Sequence, residues 1–452
     1  MNTLTNYADN YTNIIFHIDV NSAFLSWSAV KKLKDEPGSI DLRTVPSAVG
    51  GDVKSRHGII TAKSIPAKKY GIVTGEPVVK ALQKCPELIL VPGDFNTYRE
   101  YSRAFIEIIS KYSPIVQQVS IDEAYIDMSG TRKLFADSES AEYPYPLNIA
   151  RLIRDEVRNT LGFTVNVGIS SNKLLAKMAS DFQKPDKTHT LFPEEIETKM
   201  WPLPIGDLYG CGKSTASRLY SVGIRTIGDA ANADPLFLIS ILGENGGSYI
   251  YTSANGIGST DVSGHYEDAK SYSNETTLSS DLTADSYDKE IVPVLKHLSA
   301  SVSRRLKRDH VYGQTVTVSV KTGNFKRHSC QMQVTDLIDD ELKIYEYAKI
   351  LSDKLLLGDN GLFTKGEVVR LVGVGVSKID DGSYRQMSLF DMMPASGKPR
   401  DTYTESSDGK TNTDNDNFSE SKFERQKKLD KMSEAIDSRY GKGTIFKGSS
   451  LK

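Results

Sequence analysis

The feature that most constrains this chain is the stretch Val116-Gln117-Gln118-Val119-Ser120-Ile121-Asp122-Glu123-Ala124-Tyr125-Ile126-Asp127-Met128, in which apolar and polar residues roughly alternate on either side of an adjacent acid pair. Alternation with a period of two predicts two antiparallel strands with Asp122 and Glu123 at or beside their connection. Neighbouring carboxylates repel one another near neutral pH, and a divalent cation between them is the usual relief. An acidic turn on an ordinary hairpin would read the same way. A further acid weighs against that: Ile14-Ile15-Phe16-His17-Ile18-Asp19 is an almost wholly apolar run that stops in a carboxylate, the pattern of a central strand ending in a site. Three acids from two places predict a metal site made by Asp19, Asp122 and Glu123.

The flanking patterns supply a frame that can bring these acids together. Asn21 or Ser22 is expected to cap a helix running through Phe24 to Val30. From about 40 to 90, short β-like runs (Arg43 to Val49, Gly58 to Ala62) alternate with breakers, and helix signals return near Pro66 and Pro77. This reads as a small inserted subdomain carrying Lys54, Arg56, Lys63, Lys68 and Lys69, a solvated face unless the protein handles triphosphates. Tyr98, Tyr101, Phe105, Ile108 and Tyr112 have helical spacing, as do Leu147, Ala150, Ile153, Val157 and Leu161, and Thr164 to Ser170 predicts another strand. The resulting order, β-α-β-β-α-β, is that of a split βαβ sandwich, which sets the end of the first strand beside the hairpin.

Further on, Gly212-Lys213-Ser214 suggests a phosphate loop, but that motif requires a glycine at position 207, which is Asp, and no β-run precedes it. What remains is two short helices around Gly210-Cys211-Gly212, a turn whose backbone N–H groups can hold a DNA phosphate without reading sequence. After a stretch of low hydrophobicity from Gly256 to Asp268, a compact α+β module is expected. Leu295, Leu298, Val302 and Leu306 make one helical face, Ile344, Tyr347, Ala348, Leu351 and Leu355 another, and strands run through Val316 to Val320, Met332 to Val334 and Val368 to Val376. Arg304, Arg305, Lys307 and Arg308 give this module a basic rim.

At 452 residues, two to four domains are expected, and 25% charged with 38% hydrophobic residues is a soluble globular composition. No apolar run approaches the length of a membrane span and no signal-peptide pattern opens the chain, so a cytosolic protein without membrane attachment is expected. Cys85, Cys211 and Cys330 lie far apart with no Cys-x-x-Cys spacing and read as buried thiols. The net charge of −2 conceals a basic stretch from Arg304 to Arg327 and an acidic, polar one from Asp380 to Glu420 that is expected to be disordered. Lys422 to Arg439 has the pattern of a charged amphipathic helix.

Three runs carry a family resemblance: His17-Ile18-Asp19-Val20-Asn21-Ser22-Ala23-Phe24, Ser120 to Asp127, and Val167-Gly168-Ile169-Ser170-Ser171-Asn172-Lys173 through Asp181, followed by the Gly-x-Gly turn. In this order and spacing, from about Asn13 to Ile379, the chain resembles the Y family of translesion DNA polymerases, its DNA polymerase IV and UmuC-like group. The resemblance implies an α+β, multidomain right-hand polymerase. Its parts would be a ferredoxin-like palm (1–23 and 91–190), small fingers (24–90), a helix-hairpin-helix thumb (200–262), an α+β little finger (270–380) and a disordered tail (381–452). It implies template-directed, low-fidelity addition of deoxynucleotides to a primer 3′ end by a monomer. Asp19, Asp122, Glu123 and the main-chain carbonyl of Val20 would hold two Mg²⁺ ions. Phe24 would exclude a 2′-hydroxyl, and Lys184 would bind the triphosphate. Gly210, Gly212, Arg304, Arg305 and Arg308 would contact primer-template DNA, and Gln386, Met387, Leu389 and Phe390 resemble the peptide that tethers such enzymes to a sliding clamp.

There are departures and rivals. Where many members carry Tyr-x-x-Arg against the phosphates, this chain has Ile65-Pro66-Ala67-Lys68, so Lys68 offers point charge without a bidentate fork. A nucleotide cyclase uses a similar sandwich, but Gly50-Gly51-Asp52-Val53 has no second acid after Asp52 and stands outside the hairpin. A clamp-bound DNA-binding protein without catalysis is disfavoured by the intact Asp19, Asp122 and Glu123.

Overall fold

Six consecutive buried residues, Ile15–Val20, form the first strand, β1, whose near-continuous apolar character suits a strand covered on both faces. Helix α1 (Ala23–Asp35) follows, with Ser22 at its N-cap in the left-handed region (φ 49°) and no side-chain capping bond. The expected cap is therefore a sharp backbone turn rather than a hydroxyl bond. Residues 7–51, 58–264 and 268–382 are described in this computed structural model. Lys54, Arg56, the Asp52-Val53 pair, the acidic stretch beyond residue 382, the Gln386 to Phe390 peptide and the Lys422 to Arg439 segment lie outside the described residues.

The inserted subdomain is built from β2 (Ser47–Gly50), β3 (Ile60–Lys63), α2 (Ile65–Lys69), α3 (Val78–Lys84) and β4 (Ile89–Val91). The sheet order is β3-β2-β4. Its small core centres on Ala48, Ile60, Ala67, Val78, Ala81 and Cys85. Then come α4 (Phe95–Ile109), β5 (Val116–Gln118), β6 (Glu123–Asp127), α5 (Leu147–Leu161), β7 (Val165–Ser170), α6 (Lys173–Asp181) and β8 (Thr188–Thr190). Helix α4 is capped by the Asp94 carboxylate, which accepts from the N–H groups of Asn96 and Thr97, and it ends before Tyr112.

The order β5-β6-β1-β7-β8 puts β1 at the centre, antiparallel to β6 on one side and β7 on the other. The expected β-α-β-β-α-β frame is present, extended by α6 and β8. Phe105, Ile109, Ile149, Ile153 and Val157, from α4 and α5, pack in one core with Phe16, Ile18 and Val167 of the sheet. Against β1 and β7 lies α6, so closely that a Cβ on Gly168 would stand 2.0 Å from the Ala176 carbonyl oxygen. Only a residue without a side chain permits that approach.

A 3₁₀ turn at Ile205–Asp207 leads to α7 (Lys213–Ser221), α8 (Ile227–Ala231), α9 (Pro235–Leu242) and α10 (Glu244–Ala254). The expected pair of short helices around Gly210-Cys211-Gly212 is present, the first as this 3₁₀ turn and the second as α7. Pro202 and Pro204 remove two N–H donors just upstream, which limits that side to one tight turn. Gly210 has φ +84°, and a Cβ there would meet the Tyr249 hydroxyl at 2.3 Å, which itself donates to the Tyr209 carbonyl at 2.9 Å. The turn is thereby strapped to α10.

The last module comprises β9 (Ser271–Leu282), α11 (Val292–Arg308), β10 (Tyr312–Thr322), β11 (Arg327–Ile338), α12 (Glu341–Leu356) and β12 (Val369–Asp380). The sheet order is β11-β10-β12-β9, antiparallel throughout. Leu295, Leu298 and Val302 of α11 and Ile344, Ala348 and Leu351 of α12 pack on Val316, Val318 and Val320. Thr317, Ser319 and Lys321, with Gln331, Ser329 and Arg327 opposite them, alternate onto the other face. Cys85 and Cys211 are buried as expected, but Cys330 on β11 is only partly so, since that edge strand has few neighbours. Among the described residues, no helix is long and apolar enough to cross a membrane.

Candidate active site

The register places Asp19 of β1 directly opposite Glu123 of β6, and the Val20 N–H donates to the Asp122 carbonyl at 3.0 Å. The three acids thus stand at adjoining backbone positions, Asp19 on β1, Glu123 at the start of β6 and Asp122 in the connection just before it, because β1 is the central strand and the hairpin folds against its end. Their side chains each meet a different donor. The ammonium of Lys184 donates to Asp19 and lies 2.8 Å from Asp181. Lys177 Nζ donates to Glu123 Oε1 at 2.7 Å, and the half-buried Asp122 accepts from the Ser120 hydroxyl at 2.6 Å. Among the described residues, no three His, Cys, Asp or Glu side chains gather as tightly as a bound metal demands.

The donor set nevertheless suits a hard divalent cation. Three carboxylates at adjoining positions, with the Val20 carbonyl beside them, offer oxygen and neither imidazole nor thiolate. Two ammonium groups, Lys177 and Lys184, offset part of that charge. Burial pushes the Asp19 carboxyl up to about 6, against the attraction of Lys184 and Lys177. At Lys184 burial opposes the charge, but Asp19 and Asp181 outweigh it and the net shift is upward; Lys177 moves the same way through Glu123 and Asp181. His17, fully buried, is driven well below the usual imidazole value by burial and by the two lysines. Its Nδ1 lies 2.8 Å from the Ser180 hydroxyl, and its Nε2, with no hydrogen-bond partner, faces Glu123 at 4.0 Å.

Phe24 is half-buried on the first turn of α1 and stacks on Tyr98, with centroids 4.8 Å apart and planes at 19°. Phe95 meets the Phe24 ring edge-on at 6.3 Å, and the Ser28 and Tyr98 hydroxyls lie 2.9 Å apart. Lys68 is exposed at the end of α2, and it and burial depress the pKa of Lys63. Gly212 is the N-cap of α7. Arg304 is exposed on α11, while the Arg305 guanidinium lies 5.2 Å over the Tyr272 ring and Arg308 is bound to Asp309 at 2.7 and 2.9 Å. A surface concavity of about 400 Å³, lined by Pro202, Pro204, Tyr220, Arg225 and Thr226, contains none of the acids. Gln386, Met387, Leu389 and Phe390 lie outside the described residues.

The sequence alone gives no role to Lys177, Asp181 or Asn166 and offers Asn21 only as a helix cap. The i,i+4 spacing of Lys177 and Asp181 was a legible hint; the amides were not, since only the register of β1 with β7 brings them beside Asp19.

Comparison with known proteins gives matches along most of the chain. Residues 18–181 match the impB/mucB/samB family, residues 269–389 its C-terminal domain, and residues 193–224 the IMS family HHH motif. The DNA polymerase IV of Clostridium acetobutylicum is 42% identical over 380 residues, 84% of this chain and 90% of that protein. DNA polymerase IV 1 of Bacillus subtilis is 33% identical over 448 residues, covering 98% and 94%. Among solved structures, a Y-family DNA polymerase chimera superposes with a TM-score of 0.66 at 26% identity, over 81% of this chain and 99% of that one. DinB from Sulfolobus solfataricus shares the fold, with a TM-score of 0.50.

Proposed function

Since the chain belongs to the Y family of translesion DNA polymerases and is a DNA-directed DNA polymerase, we propose that Asp19, Asp122 and Glu123 are its catalytic metal ligands. The cross-strand pairing of Asp19 with Glu123, beside the backbone bond from Val20 to Asp122, carries this reading. When bound, a pair of Mg²⁺ ions supplies activation of the primer 3′-hydroxyl and neutralises charge developing on pyrophosphate. The protein's own contribution is positioning and fixed charge, with no protein nucleophile. The carboxylates and the Val20 carbonyl would hold those ions in place. Lys184, already beside Asp19, supplies charge to the triphosphate, and exposed Lys68 adds a point charge from the inserted subdomain.

Phe24, backed by Tyr98, presses on the incoming sugar. The N–H groups at Gly210 and Gly212, the polar sheet face, and Arg304, Arg305 and Arg308 on α11 at the helix-covered side hold primer-template phosphates. In this reading the β5-β6-β1-β7-β8 sheet is the palm, the β3-β2-β4 subdomain the fingers, α7 to α10 the thumb and the β11-β10-β12-β9 module the little finger. The enzyme works as a cytoplasmic monomer, joined to a sliding clamp by Gln386, Met387, Leu389 and Phe390.

Because Asp19 is pushed up to about 6 by burial, a proton competes with the cation below that pH. Apparent Mg²⁺ affinity should stay level above it and weaken about tenfold for each pH unit below. Titrating extension rate against Mg²⁺ from about pH 5 to 8 checks this, and a uniform affinity removes it. The same shift, from 3.8 to about 6, has a stability consequence of definite sign. In that window the native state binds more protons than the unfolded chain, so the metal-free protein should lose stability as pH rises through it. Separately, deleting Gln386 to Phe390 should leave distributive synthesis unchanged and abolish stimulation by a clamp. Undiminished stimulation in a primer-extension assay would discard the tether.

A further inference from the structure

Asn166 lies on β7 opposite Asp19, with no exposed surface. A buried amide is costly unless its donors and acceptors are all matched. Here all four positions are used. Asn166 Nδ2 donates to the carbonyls of Ser180 (3.1 Å) and Gln183 (2.7 Å), and Oδ1 accepts from Asn21 Nδ2 (3.1 Å) and from the Lys187 N–H (3.2 Å). Gln183 and Lys187 bracket Lys184. Asn21 adds a further tie to the same loop: its Oδ1 accepts the Asp186 N–H at 2.9 Å and the Thr164 hydroxyl at 2.9 Å.

From the outer side, Arg154 donates to Asp186 Oδ1 at 3.0 Å and Arg158 to Oδ2 at 2.5 Å. The close approach that Gly168 allows puts Ser180 within reach of the amide. The Lys184 loop is thus sewn to Asn166, the cross-strand partner of Asp19 on β7, and to Asn21 just past the end of β1. A fully satisfied buried network of this kind fixes one geometry, and each missing member leaves another polar group unpaired.

We propose that Asn166, acting with Asn21, is the positioning residue that sets where the Lys184 ammonium stands relative to Asp19, and so determines affinity for the nucleoside triphosphate rather than for DNA. The proposal rests on the reading of Lys184 as the triphosphate ligand. Asn166→Leu keeps the volume and removes the bonds. In steady-state single-nucleotide insertion by the full-length enzyme, KM for the complementary deoxynucleotide should rise about tenfold, with kcat changed less than about twofold, because an ammonium displaced by a fraction of an ångström loses much of its fit. The dissociation constant for primer-template DNA should not move.

In a Lys184→Ala background the same substitution should add no more than about twofold, since the group it positions is gone. A full tenfold effect on top of Lys184→Ala, or a fall in kcat with KM unmoved, assigns Asn166 a merely structural role and overturns the proposal. If Lys184→Ala raises KM but Asn166→Leu does not, the positioning idea alone falls. If Lys184→Ala leaves KM unchanged, the triphosphate reading itself fails. Asn21→Ala, which cuts the loop's tie to Asp186 from a less buried position, carries the same expectation and the same tests should Asn166→Leu not fold.

Discussion

Asp122→Ala is expected to lower primer extension by about a thousandfold or more, with primer-template binding essentially unchanged. The connection between β5 and β6 keeps its shape in this variant, because the bond from the Val20 N–H goes to the main-chain carbonyl of residue 122, which alanine retains. What is lost is a half-exposed carboxylate that accepts from Ser120, so the cost to folding is small. A carboxylate that anchors a catalytic cation is worth several kcal/mol of transition-state charge stabilisation, and about 4 kcal/mol corresponds to three orders of magnitude in rate. Affinity for DNA, measured by fluorescence anisotropy, has no reason to fall when a negative charge is removed near a phosphate backbone. Extension within about tenfold of the parent enzyme would dismantle the metal assignment of all three acids.

The second large effect concerns the sugar. Phe24→Ala should raise the relative kcat/KM for ribonucleotides by about a hundredfold, since forcing a hydroxyl against a packed ring costs about 1 to 3 kcal/mol and that ring is then absent. The ring cannot simply yield in the parent enzyme: it is stacked on Tyr98, flanked by Phe95 and Trp27, and Tyr98 is itself bonded to Ser28. Deoxynucleotide insertion should change far less. Competition between the two sugars on one template measures the ratio directly, and an unaltered ratio would leave Phe24 as a core residue of α1.

Much of this was legible in the chain because burial and periodicity coincide there. The run Ile15 to Val20 is mostly apolar, buried on both faces, and reads as a central strand; Val316, Val318 and Val320 alternate cleanly; the helical spacing from Leu147 to Leu161 marks α5 end to end. Where the pattern is weak, the reading failed for an identifiable reason. β9 spans twelve residues, but its only apolar ones are Tyr272, Leu278 and Leu282, so an edge strand rich in Ser and Thr carried no alternation to detect. α9 is nearly all apolar, with Leu238 its one buried residue, and such uniformity hides a helical period. At the site, the acids could be read because each sits at the edge of an apolar run. The site roles of Asn21 and Asn166 could not, since they depend on which strand neighbours which, and Lys177 offered only its i,i+4 spacing to Asp181.

The two lysines that hold Asp19 and Glu123 also bear on which ions can enter. Potassium or sodium would have to evict an ammonium of equal charge that donates hydrogen bonds as well, and so would gain nothing by the exchange. A doubly charged ion brings twice the Coulomb attraction to the same oxygens and can repay the loss of those bonds. On the proposed assignment of these acids as metal ligands, the paired ammonium groups disfavour monovalent ions relative to divalent ones.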